Sequence, residues 1–464
     1  MSQPSTLVIL GASGDLTRRL LLPGVGSLLE LEPERELRIL AADRADLDAQ
    51  AWQDRLQPAL TEGGAPPEVV QAVAATSTYT SMDATDPVAL NALLTQAAGE
   101  GGARRVVLYF ALPPAVTERV CHAMLGLTLP RDLHLTMEKP FGHDEHSARA
   151  LNTLVAHLVP DDQVHRVDHF LGKSTLLDIM AVRFANRLFS AVWSAEHIES
   201  IEIAYDESLA LENRAGYYDH AGALRDMIQS HLLQAMALVT MEPPASITAR
   251  DLRDATAAAL RATTLWGGDA ISGSRRARYT AGTSIGRAVP SYVDEDGVDP
   301  ARMTETLAQI TVEVANDRWA GVPITIRSGK ALGATQKHIV ITFRDVRHLP
   351  RGLKGADPKD RLIIGLSPDT MELRITTNGT DDPLELEQSV LATTLRESEL
   401  EAYGEVIAGV LDGNPMLTVR GDAAEECWRI CDAVLGAWER NEVPMEEYPA
   451  GSPVPAAWGA ALAD

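Results

Sequence analysis

Short apolar runs alternate with longer, polar-rich stretches over roughly the first third of the chain. Residues 7–10, 37–41, 106–110 and 133–137 read as buried strands. The stretches between them have helical character. That alternation predicts a parallel sheet with helices on both faces. Tyr109-Phe-Ala-Leu-Pro113-Pro114 and Glu138-Lys139-Pro140-Phe141-Gly142 each read as a strand running into a turn. Sheets of this kind collect ligands at the carboxyl ends of their strands, where both phrases fall. Beyond Asp168 the pattern changes. Longer helices are expected over residues 222–240 and 247–266, and extended segments over 198–205, 304–314, 324–327, 339–343 and 362–366. The second half therefore reads as an α+β domain with a large, mainly antiparallel sheet.

With 464 residues the chain is too long for one ordinary core, so two domains are expected. The net charge of −24 repels nucleic acid and anionic membranes at long range. An anionic small molecule must then be held by a local basic pocket. No apolar run is long enough to span a bilayer, and the start has no signal-peptide pattern. Three cysteines give no disulfide framework and point to a reducing compartment, so a cytoplasmic protein is expected. Cys427 and Cys431 lie one helical turn apart beside Trp428, which reads as a packed helix face, and no metal is expected.

Chemistry enters with Gly11-Ala-Ser13-Gly14-Asp15-Leu16-Thr17, between an opening strand and a helix. Glycines there let the backbone turn tightly and approach a pyrophosphate, while the helix N-terminus offers amide donors. The third glycine of the dinucleotide fingerprint is replaced by Thr17. The second strand ends in Asp43-Arg44. An arginine there pairs with a ribose 2′-phosphate, whereas an acid accepts from a free 2′-hydroxyl. The pair leaves both coenzyme types open. Further along, His231 in Arg225-Asp226-Met-Ile-Gln-Ser230-His231 is a candidate base. A neutral imidazole takes a hydroxyl proton, and an ionised Asp168 can orient it. On the helix alone, His231 reads as readily as a core histidine among Met227, Leu232 and Leu233. His169 and Lys173 follow Asp168; four apart, they would share a face of a helical turn and both donate to a phosphate.

These phrases, with Glu-Lys-Pro-Phe-Gly at 138–142, Gly-Tyr-Tyr-Asp-His-Ala-Gly-Ala-Leu-Arg-Asp at 216–226, Asn316-Asp-Arg-Trp319 and Arg327-Ser-Gly-Lys330, resemble the glucose-6-phosphate dehydrogenase family. The likeness runs in order from about residue 6 to 343, and thinly on to Tyr403 and Trp428. It implies a Rossmann-type coenzyme domain over 1–167 and a substrate-binding and oligomerisation domain over 168–464. The implied reaction oxidises the C1 hydroxyl of glucose 6-phosphate to the lactone, with hydride passing to NADP or NAD. That is the first step of the pentose phosphate pathway. The resemblance makes His231 the base and Asp168 its partner. Phosphate falls to His169 and Lys173, and Lys139 touches both sugar and coenzyme. Glu207, Asp226 and Lys330 bind the sugar. Gly11, Ser13, Gly14, Asp15, Leu16 and Arg44 bind the coenzyme. Arg44 matches the family position at the 2′-phosphate, so NADP is expected, with some use of NAD because Asp43 opposes it. A homodimer or homotetramer is implied as well.

The departures fall on the substrate side. A second basic residue usually follows the sheet lysine by five positions, where this chain has Thr335; Lys337 stands two further on. The asparagine usually preceding the histidine is Ser230, and the segment 344–397 is poorly matched. Two alternatives to a glucose 6-phosphate enzyme follow: a dehydrogenase of another hexose 6-phosphate, or a silent relative that binds and regulates. Retention of His231, Asp168, His169, Lys173 and Lys139 speaks against the second.

Overall fold

The structure is a computed structural model; it describes residues 3–459 except 103, 212–214, 356–358, 397, 399 and 401. Glu397 and Asp464, which end the 344–397 segment and the 168–464 domain, lie outside the described residues. The chain forms two compact units. The first comprises Met1–Lys173 with two later segments, Pro244–Ala257 and Ser398–Trp428. The second comprises Ser174–Pro243, Ala258–Glu397 and Arg429–Asp464.

In the first unit, β1 (Ser5–Leu10), β2 (Leu37–Asp43), β3 (Thr78–Ser81), β4 (Arg105–Phe110), β5 (Leu133–Glu138) and β6 (Val164–Val167) form one sheet. Its order is β6-β5-β4-β1-β2-β3, all parallel, with Thr418–Val419 added antiparallel beside β6. β1 is buried at every position, as a strand covered on both faces must be. Leu7, Ile9, Ile39, Val107 and Tyr109 pack under the helices Leu22–Leu31 and Ala49–Glu62 in one apolar cluster. The strand order reverses between β1 and β4, and a doubly wound sheet opens its ligand crevice at such a point. The two returning segments are tied in by specific bonds. Arg253 Nη2 donates to Asp161 Oδ2 at 3.0 Å, and Trp428 Nε1 donates to the Phe141 carbonyl at 2.9 Å.

The second unit is built on a ten-stranded sheet among the described residues. At its centre β7 (Ile198–Asp206) pairs antiparallel with Gln336–Phe343 and parallel with Ile324–Gly329. Most other pairings are antiparallel, as expected. Asp369–Asn378, half-buried along most of its length, and the largely exposed Leu386–Thr394 extend the sheet beyond the strands expected from the sequence. The helix expected over 222–240 is interrupted. Gly222 has φ +68°, Leu224–Leu232 winds as a π-helix, and only Leu233–Thr240 is α-helical. No helix of the described residues is long and apolar enough to cross a membrane.

One buried polar pair in the first unit has a pH consequence. His134 Nδ1 faces His165 Nε2 at 2.9 Å, and His134 Nε2 lies 3.0 Å from Asp132 Oδ1. Asp132 also meets Arg105 Nε at 3.3 Å. With His134 donating to Asp132, His165 must donate to His134, leaving His165 Nδ1 bare and without a hydrogen-bond partner. Burial is the main cause that holds both imidazoles below their ordinary value. The unfolded chain therefore binds protons, starting near pH ~6.5, that the folded chain refuses. Stability is complete above that pH and falls as the solution is acidified. We expect Tm to rise with pH between about 5 and 7. His165→Gln, which keeps a donor for His134, should flatten that rise; a rise as steep as wild type would show the pair is not its source.

Candidate active site

Four candidate residues of the first unit leave the carboxyl ends of its parallel strands. Gly11 follows β1, Asp43 ends β2, Lys139 follows β5 and Asp168 follows β6. Gly11 has φ +88°, and a Cβ there would stand 2.1 Å from the Ala111 carbonyl oxygen. Only glycine lets the chain turn this close to the neighbouring strand, so the backbone cradle suits a pyrophosphate. Gly14 N donates to the Gly11 carbonyl at 3.1 Å, and Thr17 Oγ1 to the same oxygen at 3.2 Å. The residue replacing the third glycine thus braces the turn. Asp15 is exposed and Leu16 half-buried on the way into the helical segment Thr17–Leu21.

Asp43 turns inward. Its Oδ2 accepts from Ser13 N at 3.1 Å and Ser13 Oγ at 2.6 Å, while Oδ1 accepts from Arg44 N at 2.7 Å. Asp43, Arg44, Asp83 and Arg119 line a cavity of about 270 Å³ together with Gly11 and Gly14. Hydrogen bonds from Thr85 hold the Asp83 carboxyl below the usual range, with smaller contributions from Arg44 and Arg119.

Asp168 is buried and caps the short helix His169–Gly172, accepting from Phe170 N at 3.1 Å. That helix is wound as a 3₁₀ turn, and Lys173 leaves it extended, with ψ 130°. The expected α-helical stacking of His169 over Lys173 is therefore not formed. Instead the His169 ring stacks on Tyr403, with centroids 5.6 Å apart and planes at 19°. The Lys173 ammonium lies 4.9 Å over the Phe170 ring. Tyr403 OH donates to Glu138 Oε1 at 3.1 Å, and Tyr109 OH donates to the same oxygen. Burial pushes the Glu138 carboxyl up. Lys139 follows, on a cis bond to Pro140. Tyr403 belongs to a returning segment, and no local pattern in the sequence links it to His169.

In the second unit, Glu207 follows β7 and Lys330 follows the parallel strand Ile324–Gly329, so both emerge at one end of the sheet. Lys330 Nζ meets Glu207 Oε2 at 2.8 Å. Lys337 Nζ meets Oε1 of the same carboxylate at 3.5 Å. Beneath them Arg327 donates from Nε and Nη2 to Asp206 Oδ2 at 3.0 and 2.9 Å, with Glu202 Oε1 at 3.4 Å. His231 is buried on the π-wound segment. An α-helix would turn Asp226 and His231 about 140° apart, since five residues exceed one 3.6-residue turn. Winding with i→i+5 bonds stacks residues five apart instead. Asp226 is half-buried, and Tyr217 OH donates to its Oδ1 at 3.3 Å. Ser230 is buried beside His231.

A doubly wound sheet with a glycine cradle, and a second unit bearing an acid, lysines and a buried histidine, together define a nicotinamide-coenzyme oxidoreductase. Comparison with known proteins narrows this. The family "Glucose-6-phosphate dehydrogenase, NAD binding domain" matches residues 8–177, and "Glucose-6-phosphate dehydrogenase, C-terminal domain" matches 180–464. The chain is 37% identical to a glucose-6-phosphate 1-dehydrogenase of Gluconobacter oxydans, over 97% of this chain and 94% of that one. It is 34% identical to that of Treponema pallidum, over 99% and 93%. A solved glucose-6-phosphate dehydrogenase in complex with glucose 6-phosphate superposes with TM-score 0.88 at 28% identity, covering 99% of this chain and 97% of the other. The chain belongs to the glucose-6-phosphate dehydrogenase family.

Arg327 is wholly buried between two carboxylates. Arg327→Met would leave them without their cation, a loss of about 3–5 kcal/mol. Urea unfolding should show it; a loss within 1 kcal/mol, on the scale of an exposed pair, would mean the carboxylates are not held by this arginine.

Proposed function

We propose that this protein oxidises the C1 hydroxyl of D-glucose 6-phosphate to 6-phospho-D-glucono-1,5-lactone. The coenzyme, when bound, accepts the C1 hydride. The remaining chemistry belongs to the chain. His231 takes the hydroxyl proton through a ring nitrogen, and Asp168 orients the ring and balances its charge. Glu207 and Asp226 accept from sugar hydroxyls, so a missing hydroxyl leaves a carboxylate unpaired and counts against the wrong sugar. His169 and Lys173 hold the phosphate, and Lys139 serves both sugar and coenzyme. The observation that carries this reading is the family match spanning nearly the whole chain, within which Asp226 and the buried His231 share one π-wound segment.

The coenzyme expectation is revised on the geometry of Asp43. The sequence reading favoured NADP because Arg44 is retained. The Asp43 carboxylate, however, occupies the Ser13 side of the nucleotide cavity, and Asp83 adds a second acid. Two carboxylates oppose a 2′-phosphate and accept from a 2′-hydroxyl. NAD is thus the preferred coenzyme in this proposal, and Arg44 sustains a weaker use of NADP. The proposal keeps 1–167 as coenzyme domain and 168–464 as substrate and oligomerisation domain. The hairpin at Asp369–Thr394, whose second strand is largely exposed, supports homo-oligomers, and three free, buried cysteines suit the cytoplasm.

A coenzyme-reduction assay with glucose 6-phosphate, free glucose and other hexose phosphates tests the reading directly. Turnover confined to another sugar phosphate, or none at all, would replace it with one of the two alternatives. His231→Asn should fold and lose at least ~100-fold in kcat with little change in KM, because a base acts in the transition state. Turnover within a few-fold of wild type would remove His231 from the mechanism. Comparing kcat/KM for the two coenzymes should favour NAD. Asp43→Ala should shift the ratio toward NADP by about tenfold or more, the scale of one charge-assisted contact; an unshifted ratio would show that Asp43 does not read the ribose.

A further inference from the structure

Lys337 stands where no sugar-binding role is assigned, yet it is built into the Glu207 cluster. It lies on the strand Gln336–Phe343, directly opposite Tyr205 in the antiparallel pairing with β7. Its ammonium sits 4.4 Å over the Tyr205 ring, a cation–π contact that fixes the end of a flexible chain. The side chain is only 16% exposed, and Nζ reaches Glu207 Oε1 at 3.5 Å. Lys330 takes the other oxygen. One cation alone would leave the carboxylate free to swing about its last bond. Two cations, one per oxygen, set its plane.

Thr335 explains the register. Residues two apart share a face of an extended segment, so 335 and 337 reach the same region. Thr335 Oγ1 pairs with Ser208 Oγ at 3.1 Å. The strand therefore grips the turn after β7 at consecutive residues, Thr335 at Ser208 and Lys337 at Glu207.

We propose that Lys337 is a positioning residue for substrate binding: it holds Glu207 in the orientation that accepts a sugar hydroxyl. This rests on the sugar-binding role given to Glu207 above. Lys337→Met should raise KM for glucose 6-phosphate about tenfold, the lower end of losing a charged hydrogen bond, with kcat nearly unchanged. The loss should be the same for free glucose, because Lys337 acts on the hydroxyl acceptor and not on the phosphate. Lys337→Arg, which keeps the cation, should restore KM, and Lys337→Met should add nothing in a Glu207→Gln background. A loss confined to the phosphorylated sugar, additivity with Glu207→Gln, or Arg and Met variants that behave alike would each overturn the proposal. Wild-type turnover is measured first. Its absence overturns both this proposal and the function beneath it, whereas wild-type turnover with unchanged KM in Lys337→Met overturns the role of Lys337 alone.

Discussion

Two hydrogen bonds from Arg327 to a single oxygen of Asp206 join the ends of neighbouring parallel strands in the second unit. Glu207 and Lys330 are the next features of those strands, so the ion pair sets their separation. Desolvating a guanidinium is costly, and two carboxylates offset that cost here. The return is rigidity under a site that needs charged side chains held at hydrogen-bond distance. Lys330, Glu207 and Lys337 can then meet above a platform that does not shift.

The first unit solves a different problem with backbone. Parallel strands end together, and their carboxyl ends bring Gly11, Asp43, Lys139 and Asp168 to one edge of the sheet from positions far apart in sequence. The close approach at Gly11 opens space for a pyrophosphate, while Asp43 takes up hydrogen bonds from Ser13 that a phosphate would otherwise accept. The backbone cradle and the Asp43 carboxylate thus share Ser13 within one cavity.

Winding matters as much as residue identity. The segment around His231 carries the same letters in α or π form, yet π winding turns residues five apart toward one face, as α winding does not. The same holds at His169 and Lys173, where a spacing of four suggested a shared helical face. The chain adopts a 3₁₀ turn there, and aromatic neighbours orient each side chain separately. Periodicity reports that a stretch is helical. It does not report which hydrogen-bond ladder closes it.

Much was legible from residue order alone. Apolar runs at β1, β2 and β4 announced a parallel sheet, because a strand buried on both faces has few polar positions to show. The glycine turn and the phrases around Asp168, Lys139 and His231 carried the family, since their chemistry demands those residues locally. The largely exposed strand Leu386–Thr394 left no such trace. The remaining decisions were tertiary. The inward turn of Asp43, the stacking of Tyr403 on His169 and the reach of Lys337 to Glu207 each join residues distant in sequence. Such contacts depend on strand order and side-chain direction, which the packed chain alone determines.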